Sequence, residues 1–182
     1  MRVEGGSARG IELKVPQSRA VRPATSLTKQ AVFSMLENSG RDCDVVLDLF
    51  AGSGALGIEA LSRGASWADF VDSNRECCAV IRQNLEKTGF EGSAAVHCST
   101  AQKAVTALTR RYDVVLLDPP YDDSATGDIL SAIAASGLVG RDTLLVVSHG
   151  DRHPLEDSYG QFDTWKKRRY GDSHITIYRR EE

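Results

Sequence analysis

Apolar residues in the middle of the chain fall into short unbroken runs, each followed by a longer stretch where they recur every three or four positions. The runs are "DVVLDLF" (44–50), "SWADFVD" (66–72), "SAAVHC" (93–98), "YDVVLLD" (112–118) and "DTLLVVSHG" (142–150). Between them, "ALGIEALSRG", "NRECCAVIRQNLEKTG", "AQKAVTALTRR" and "SATGDILSAIAASG" carry helical spacing. Strands that are apolar throughout are covered on both faces, and strands alternating with helices of this length need right-handed crossovers. The pattern predicts an α/β fold with a mostly parallel, doubly wound sheet.

The two ends read differently. "MRVEGG" and "GIELKV", joined through Gly5, Gly6 and Gly10, predict a small hairpin. "SLTKQAVFSMLENSG" predicts a helix with Thr25 or Ser26 as its cap and Gly40 as its stop. "FDTWKKRRYGDSHITIYRR" reads as two strands about a turn at Gly171–Asp172–Ser173. With no repeat or low-complexity tract, the expectation is one domain over 1–182: a basic N-terminal appendage (1–40) on a Rossmann-like core (41–182).

Composition adds exclusions. Of 182 residues, 41% are hydrophobic and 26% charged, ordinary values for a soluble domain with one core. No apolar window is long enough to span a membrane, and "MRVEGGSARG" has no apolar core of a secretory signal. A cytoplasmic protein without membrane contact is expected, with a monomer as the simplest state. Cys43, Cys77, Cys78 and Cys98 lack CxxC spacing, and His97, His149, His153 and His174 show no ligand spacing with them. Reduced packing thiols and no metal site follow.

The net charge of −3 hides an asymmetry. Arg2, Arg9, Lys14, Arg19, Arg22 and Lys29 give residues 1–30 a surplus of +4, and Lys166, Lys167, Arg168, Arg169, Arg179 and Arg180 give 164–180 a surplus of +5. The stretch between them is acidic. Basic ends could seat a polyanion, and "WKKRRY" sets its cations between two rings suited to stacking. A charged edge strand would explain the same run.

Two stretches carry chemistry. In "DLFAGSGALGIEA", Gly52, Gly54 and Gly57 form a GxGxxG loop between a strand and a helix, suited to a nucleoside cofactor. Asp48 beside it would oppose a pyrophosphate but attract the sulfonium and ammonium of S-adenosylmethionine, while Asp72 is placed for ribose hydroxyls. In "VVLLDPPYDD", the prolines end the strand and fix the backbone. Asp118 and the Pro119 carbonyl can accept hydrogens of an exocyclic base amino group, whose lone pair is otherwise delocalised into the ring. Tyr121 offers a face for the extruded base. His149 reads as a strand-end residue, since this methyl transfer needs no strong base.

These residues together resemble the class I amino-methyltransferases. "RVEGGSARG", "RPATSLTKQAVFSML", "LDLFAGSGALGIEALSRGA", "VVLLDPPY" and "YGDSHITIYRR" narrow the resemblance to the bacterial 16S rRNA (guanine-N2)-methyltransferase family, RsmD-like, over nearly the whole chain. The resemblance implies a seven-stranded, mostly parallel Rossmann-like sheet with one antiparallel strand, plus the N-terminal hairpin and helix. It implies methylation of guanosine N2 in small-subunit rRNA, in an assembling or assembled subunit. By position, Asp48, Phe50, Ala51, Gly52, Ser53, Gly54, Asp72, Ser73, Ser99, Thr100 and Thr25 would line the cofactor. Asp118, Pro119, Pro120 and Tyr121 would hold the guanine. Arg2, Arg9, Lys14, Arg22, Lys166, Lys167, Arg168 and Arg169 would meet RNA. Ala24 stands where the family has Thr, Ser99 and Thr100 where it has an acidic adenine contact, and Ser148 where it often has Glu. Competing readings are an amino-methyltransferase acting on adenine or cytosine of DNA or other RNA, an NAD-dependent oxidoreductase, and a non-catalytic RNA-binding assembly factor.

Overall fold

The computed structural model describes residues 1–17, 26–120 and 123–181. Arg19, Arg22, Ala24, Thr25 and Tyr121 therefore lie outside the described residues. Strands β1 (Val45–Leu49), β2 (Trp67–Asp72), β3 (Ala94–Cys98), β4 (Tyr112–Leu117) and β5 (Val139–His149) follow the apolar runs, and all their pairings with one another are parallel. β6 (Ser158–Tyr159), β7 (Phe162–Tyr170) and β8 (Ser173–Arg179) complete one sheet in the order β3-β2-β1-β4-β5-β8-β7-β6.

Among the described residues the sheet thus has eight strands rather than seven. The addition, β6, is two residues long and pairs only with Phe162 and Asp163, across a turn at Gly160 (φ 60°). It has no apolar run of its own and forms because buried Tyr159 packs edge-on to Tyr178, ring centroids 5.4 Å apart. β8 inserts antiparallel between β5 and β7, and β6 runs antiparallel to β7 as well. The N-terminal hairpin reduces to a single bridge between Arg2 and Glu12, because Gly5, Gly6 and Gly10 occupy the turn that strand residues would need.

Helices cover both faces. α1 (Ser26–Glu37), α2 (Ala55–Ser62) and α3 (Arg75–Thr88) share one core with Val46, Phe70, Val114 and Ile177; α4 (Ala101–Ala107) and α5 (Thr126–Ala135) share the other with Leu47, Leu117 and Val147. In α3, Cys77, Cys78, Ile81, Asn84 and Leu85 form the buried stripe at helical spacing. Asn74 caps its start by accepting from the Glu76 N–H, and Gly89 (φ 77°) closes its end in the left-handed region.

The N-terminal segment is fastened to the back of α2. Val3, Ala8 and Leu13 are buried in the α1–α2–α3 core. The Glu4 and Gly5 N–H groups donate to the two Glu59 carboxylate oxygens at 2.8 Å each, and the Ser7 and Ala8 N–H groups donate to the Ser62 carbonyl and hydroxyl at 2.8 and 2.9 Å. Gly6 sits at φ 74° against the Ser62 carbonyl, where a Cβ would come within 1.7 Å. Lys29 is buried beside this contact. It donates to the Arg2 carbonyl and lies 3.9 Å from both Glu4 and Glu59. Burial lowers its pKa, and the two carboxylates oppose that shift.

Candidate active site

All the parallel strands end on one rim, and the strand order reverses between β1 and β4. That reversal opens a crevice at the carboxyl ends, where α/β proteins bind ligands. β1 leads into the glycine loop through Phe50, whose φ of 59° is the one positive value for a non-glycine among the described residues. Holding phenylalanine there costs on the order of 1–3 kcal/mol, so the surrounding contacts must over-determine the loop. They do. The Ala51 N–H donates to the Val71 carbonyl at 3.1 Å, the Gly54 N–H to the Ala51 carbonyl at 2.7 Å, and the Gly52 N–H to the Asp72 carboxylate at 2.9 Å. Gly57 faces Phe70 so closely that a Cβ would lie 2.3 Å from the ring.

Asp48, expected from the sequence to attract the cofactor's cationic groups, is buried in the structure. It lies on the same strand face as Val46, under α2, and is only 1% exposed. Its carboxylate accepts from the Gly57 N–H at 2.9 Å in the first turn of α2. Burial pushes its pKa well up, the Gly57 bond opposes this, and the charges of Asp118 and Asp72 add to the rise. The three carboxylates are therefore within electrostatic reach of one another, but Asp48 is the floor of the site.

Asp72 stands half-buried on the rim. One oxygen accepts from Gly52 N–H and the other from Asn74 N–H at 2.8 Å, each retaining a further lone pair. Ser73 beside it is exposed. Across the β2–β3 pair, the Ser99 N–H donates to the Asp72 carbonyl at 3.0 Å. The Thr100 hydroxyl is engaged as the cap of α4, accepting from the Lys103 N–H at 3.3 Å.

Asp118 follows β4 directly, with its N–H 3.4 Å from the Leu49 carbonyl at the base of the glycine loop. Leu117 pairs with both Leu49 and Val147, so Asp118 emerges between that loop and Ser148. It is half-buried; Pro119 is buried and Pro120 exposed, its carbonyl accepting from the Asp123 N–H at 2.9 Å. Burial raises the Asp118 carboxyl to about 6, and a hydrogen bond from the Ser148 hydroxyl pulls the other way. Sequence reasoning assigned Ser148 no part in the site. The register β4–β5 is what brings it to Asp118, and no local pattern encodes that.

His149 is buried at the end of β5. Nδ1 donates to the Gly150 carbonyl at 3.2 Å and Nε2 accepts from the Thr176 hydroxyl at 2.9 Å, with the ring stacked on His174 at 5.4 Å. Burial lowers its pKa and keeps it neutral.

Among the described residues, the basic candidates are divided between the two faces of the sheet. Arg2, Arg9 and Lys14 are exposed on the α1–α2–α3 side of the sheet, where the N-terminal segment packs. On β7, Lys166 and Arg168 pair with Ile177 and Ile175, whose side chains belong to that same core. Lys167 and Arg169 pair with Thr176 and His174 and point to the opposite face. Trp165 lies beneath two cations, Lys166 at 4.1 Å and Arg179 at 4.9 Å.

A sheet of this order, a glycine loop after β1 and an acidic proline turn after β4 define a class I methyltransferase dependent on S-adenosylmethionine. A family model described as conserved hypothetical protein 95 matches residues 1–179, and the chain belongs to this RsmD-like family. It is 33% identical over 99% of both chains to YlbH of Bacillus subtilis, provisionally named an rRNA methyltransferase. It is 29% identical to ribosomal RNA small subunit methyltransferase D of Escherichia coli, over all of this chain and 90% of that one. The solved structure of the Escherichia coli yhhF protein superposes with a TM-score of 0.84 at 28% identity, covering 100% of this chain and 98% of that one. The site suits the cofactor: Gly52 and Gly54 (φ 57° and 77°) leave the loop backbone without side-chain cover, and each Asp72 oxygen keeps acceptor capacity beyond its one backbone bond.

Proposed function

We propose that this protein methylates the exocyclic N2 amino group of a guanosine in small-subunit rRNA, acting on the assembling or assembled subunit in the cytoplasm. S-adenosylmethionine, when bound, supplies an electrophilic methyl group. The observation that carries the proposal is Asp118: a carboxylate emerging directly beside the glycine loop, next in register to Ser148 and set on a turn that two prolines stiffen.

In this reading Asp72 accepts the ribose hydroxyls of the cofactor, and the loop from Phe50 to Gly54 lies along its nucleoside and methionine parts. Ser73, Ser99 and Thr100 neighbour the adenine. Asp118 and the Pro119 carbonyl accept the hydrogens of the guanine amino group, so that its lone pair leaves the plane of the ring. Deprotonated Asp118 is the competent form, because a protonated carboxyl loses an acceptor. Tyr121, Arg22 and Thr25 belong to the proposal through the family motif and lie outside the described residues. The basic arm and β7 hold the RNA phosphates. The name of the Escherichia coli relative supports the small-subunit substrate, and the family relation supports an rRNA substrate in general.

The test is transfer of labelled methyl from S-adenosylmethionine to small subunits lacking the modification, with naked rRNA and duplex DNA in parallel. Label at guanine N2 that disappears in Asp118→Ala is the expected result. Label on adenine or cytosine, or on DNA alone, would sink the substrate assignment.

A further inference from the structure

Asn84 stands in the buried stripe of α3, where the spacing otherwise selects Cys77, Cys78, Ile81 and Leu85. It is fully buried. An amide in such a place is costly unless its groups are bonded. Its Oδ1 accepts from the Lys14 N–H at 2.8 Å, and its Nδ2 donates to the Lys14 carbonyl at 3.0 Å and the Ser53 carbonyl at 2.9 Å. One side chain thus ties the glycine loop to the N-terminal arm.

The neighbouring contacts follow the same line. The Ser53 hydroxyl donates to the Met1 sulfur at 3.8 Å, so the arm meets the loop a second time. The Lys14 ammonium donates to Gln83 at 2.9 Å, and the Gln17 N–H donates to Glu76 at 2.7 Å. The arm therefore runs along α3 from Asn84 to its first turn, the turn that follows Asp72. An apolar residue at 84 would pack the stripe as well but would remove this tie, leaving the long Ser53–Met1 contact as the remaining direct bond between arm and loop among those described.

We propose that Asn84 is a positioning residue that couples RNA binding on the N-terminal arm to cofactor binding at the glycine loop. The inference rests on the reading that the arm meets RNA and the loop holds S-adenosylmethionine. Because coupling of two binding events is reciprocal, each ligand tightens the other by the same factor.

The experiment is equilibrium dialysis of labelled S-adenosylhomocysteine against the full-length protein, with and without unmethylated small subunits. Subunits should tighten its binding about fivefold or more in the wild type. Asn84→Leu should bring that factor to about one while each ligand still binds alone. If the variant weakens both ligands but keeps the factor, Asn84 is merely structural and the inference fails. A wild type that binds both ligands without coupling overturns it as well. A wild type that binds the cofactor product but no subunits would instead refute the substrate reading, and this inference with it. Should the variant not fold, hydrogen exchange on the wild type decides. S-adenosylhomocysteine should slow exchange of the Lys14 amide, and an unchanged rate there overturns the coupling.

Discussion

Asp48 and Asp118 stand near the carboxyl ends of adjacent parallel strands, and the fold gives them opposite employment. Asp48 is still inside β1, on the face that α2 covers, and spends its carboxylate on the backbone of that helix. Asp118 is one residue past the end of β4, where the prolines release the chain, and Ser148 of β5 stands next to it in register. One carboxylate shapes the cradle and the other is available to a ligand. A displacement of one or two residues relative to the strand end is enough to separate these roles, because the next helix covers the strand but not the turn.

The difference can be broken most severely at Asp118. Asp118→Ala should lower the single-turnover rate of methyl transfer on the order of 10³-fold, as loss of a positioned polar contact in the reacting complex does. Cofactor affinity, read by calorimetry, should stay within about threefold, since Asp118 is given no part in holding the cofactor. A parallel collapse of cofactor affinity would make it part of the cradle, like Asp48.

The cradle side is sharpened by Gly57→Ala. The added Cβ would meet the buried Phe70 ring at 2.3 Å, and overpacking of this kind costs about 1–3 kcal/mol. Thermal unfolding should show that loss together with weakened cofactor binding. An unchanged melting temperature would mean that the loop tolerates a shift of α2 on the sheet.

Titration separates the two carboxylates again. Asp118 has its folded-state pKa raised to about 6 by burial. The stability linked to it is therefore full below its unfolded value and is lost as pH rises through about 6. Asp118→Asn should accordingly melt above the wild type at pH 8, with the gap closing as acid protonates the wild-type carboxyl. In catalysis the sign reverses. Activity should fall as pH drops through about 6, and Ser148→Ala should move that acid limb to higher pH by removing the bond that holds the pKa down. A limb unmoved in Ser148→Ala would show that the hydroxyl does not govern Asp118.

The smallest expected effect concerns the two faces of β7. Lys166 and Arg168 share a face with the N-terminal arm, whereas Lys167 and Arg169 do not. Replacing the first pair by alanine should weaken rRNA binding and reduce its salt slope by about one to two. The second pair should change the slope less. Equal losses would mean that RNA wraps the open edge of the sheet.

The strands and helices of the core were legible because strands buried on both faces leave unbroken apolar runs and helices buried on one face leave a 3.6-residue period. β6 was not, since two residues carry no period and only Tyr159 anchors them. "WKKRRY" read as one basic cluster, although strand alternation sends its cations to both faces. The glycine loop and the proline turn were legible as chemistry, because backbone freedom and backbone stiffness are tied to residue type. Ser148 and Asn84 were not, since a serine in an apolar strand and an asparagine in a helix acquire partners only when distant segments meet.

Legible in the residues alone are local features: where strands and helices lie, where the chain must turn, and that carboxylates stand at or near the carboxyl ends of three strands. Packing between distant segments sets which carboxylate is buried under α2 and which stands beside Ser148. It likewise fastens the basic arm to the glycine loop through Asn84. The physical reason is that propensity and periodicity act over one turn or one pleat. Burial, hydrogen-bond partners and pKa depend on neighbours seventy or more residues away in the chain, as Asn84 is from Lys14.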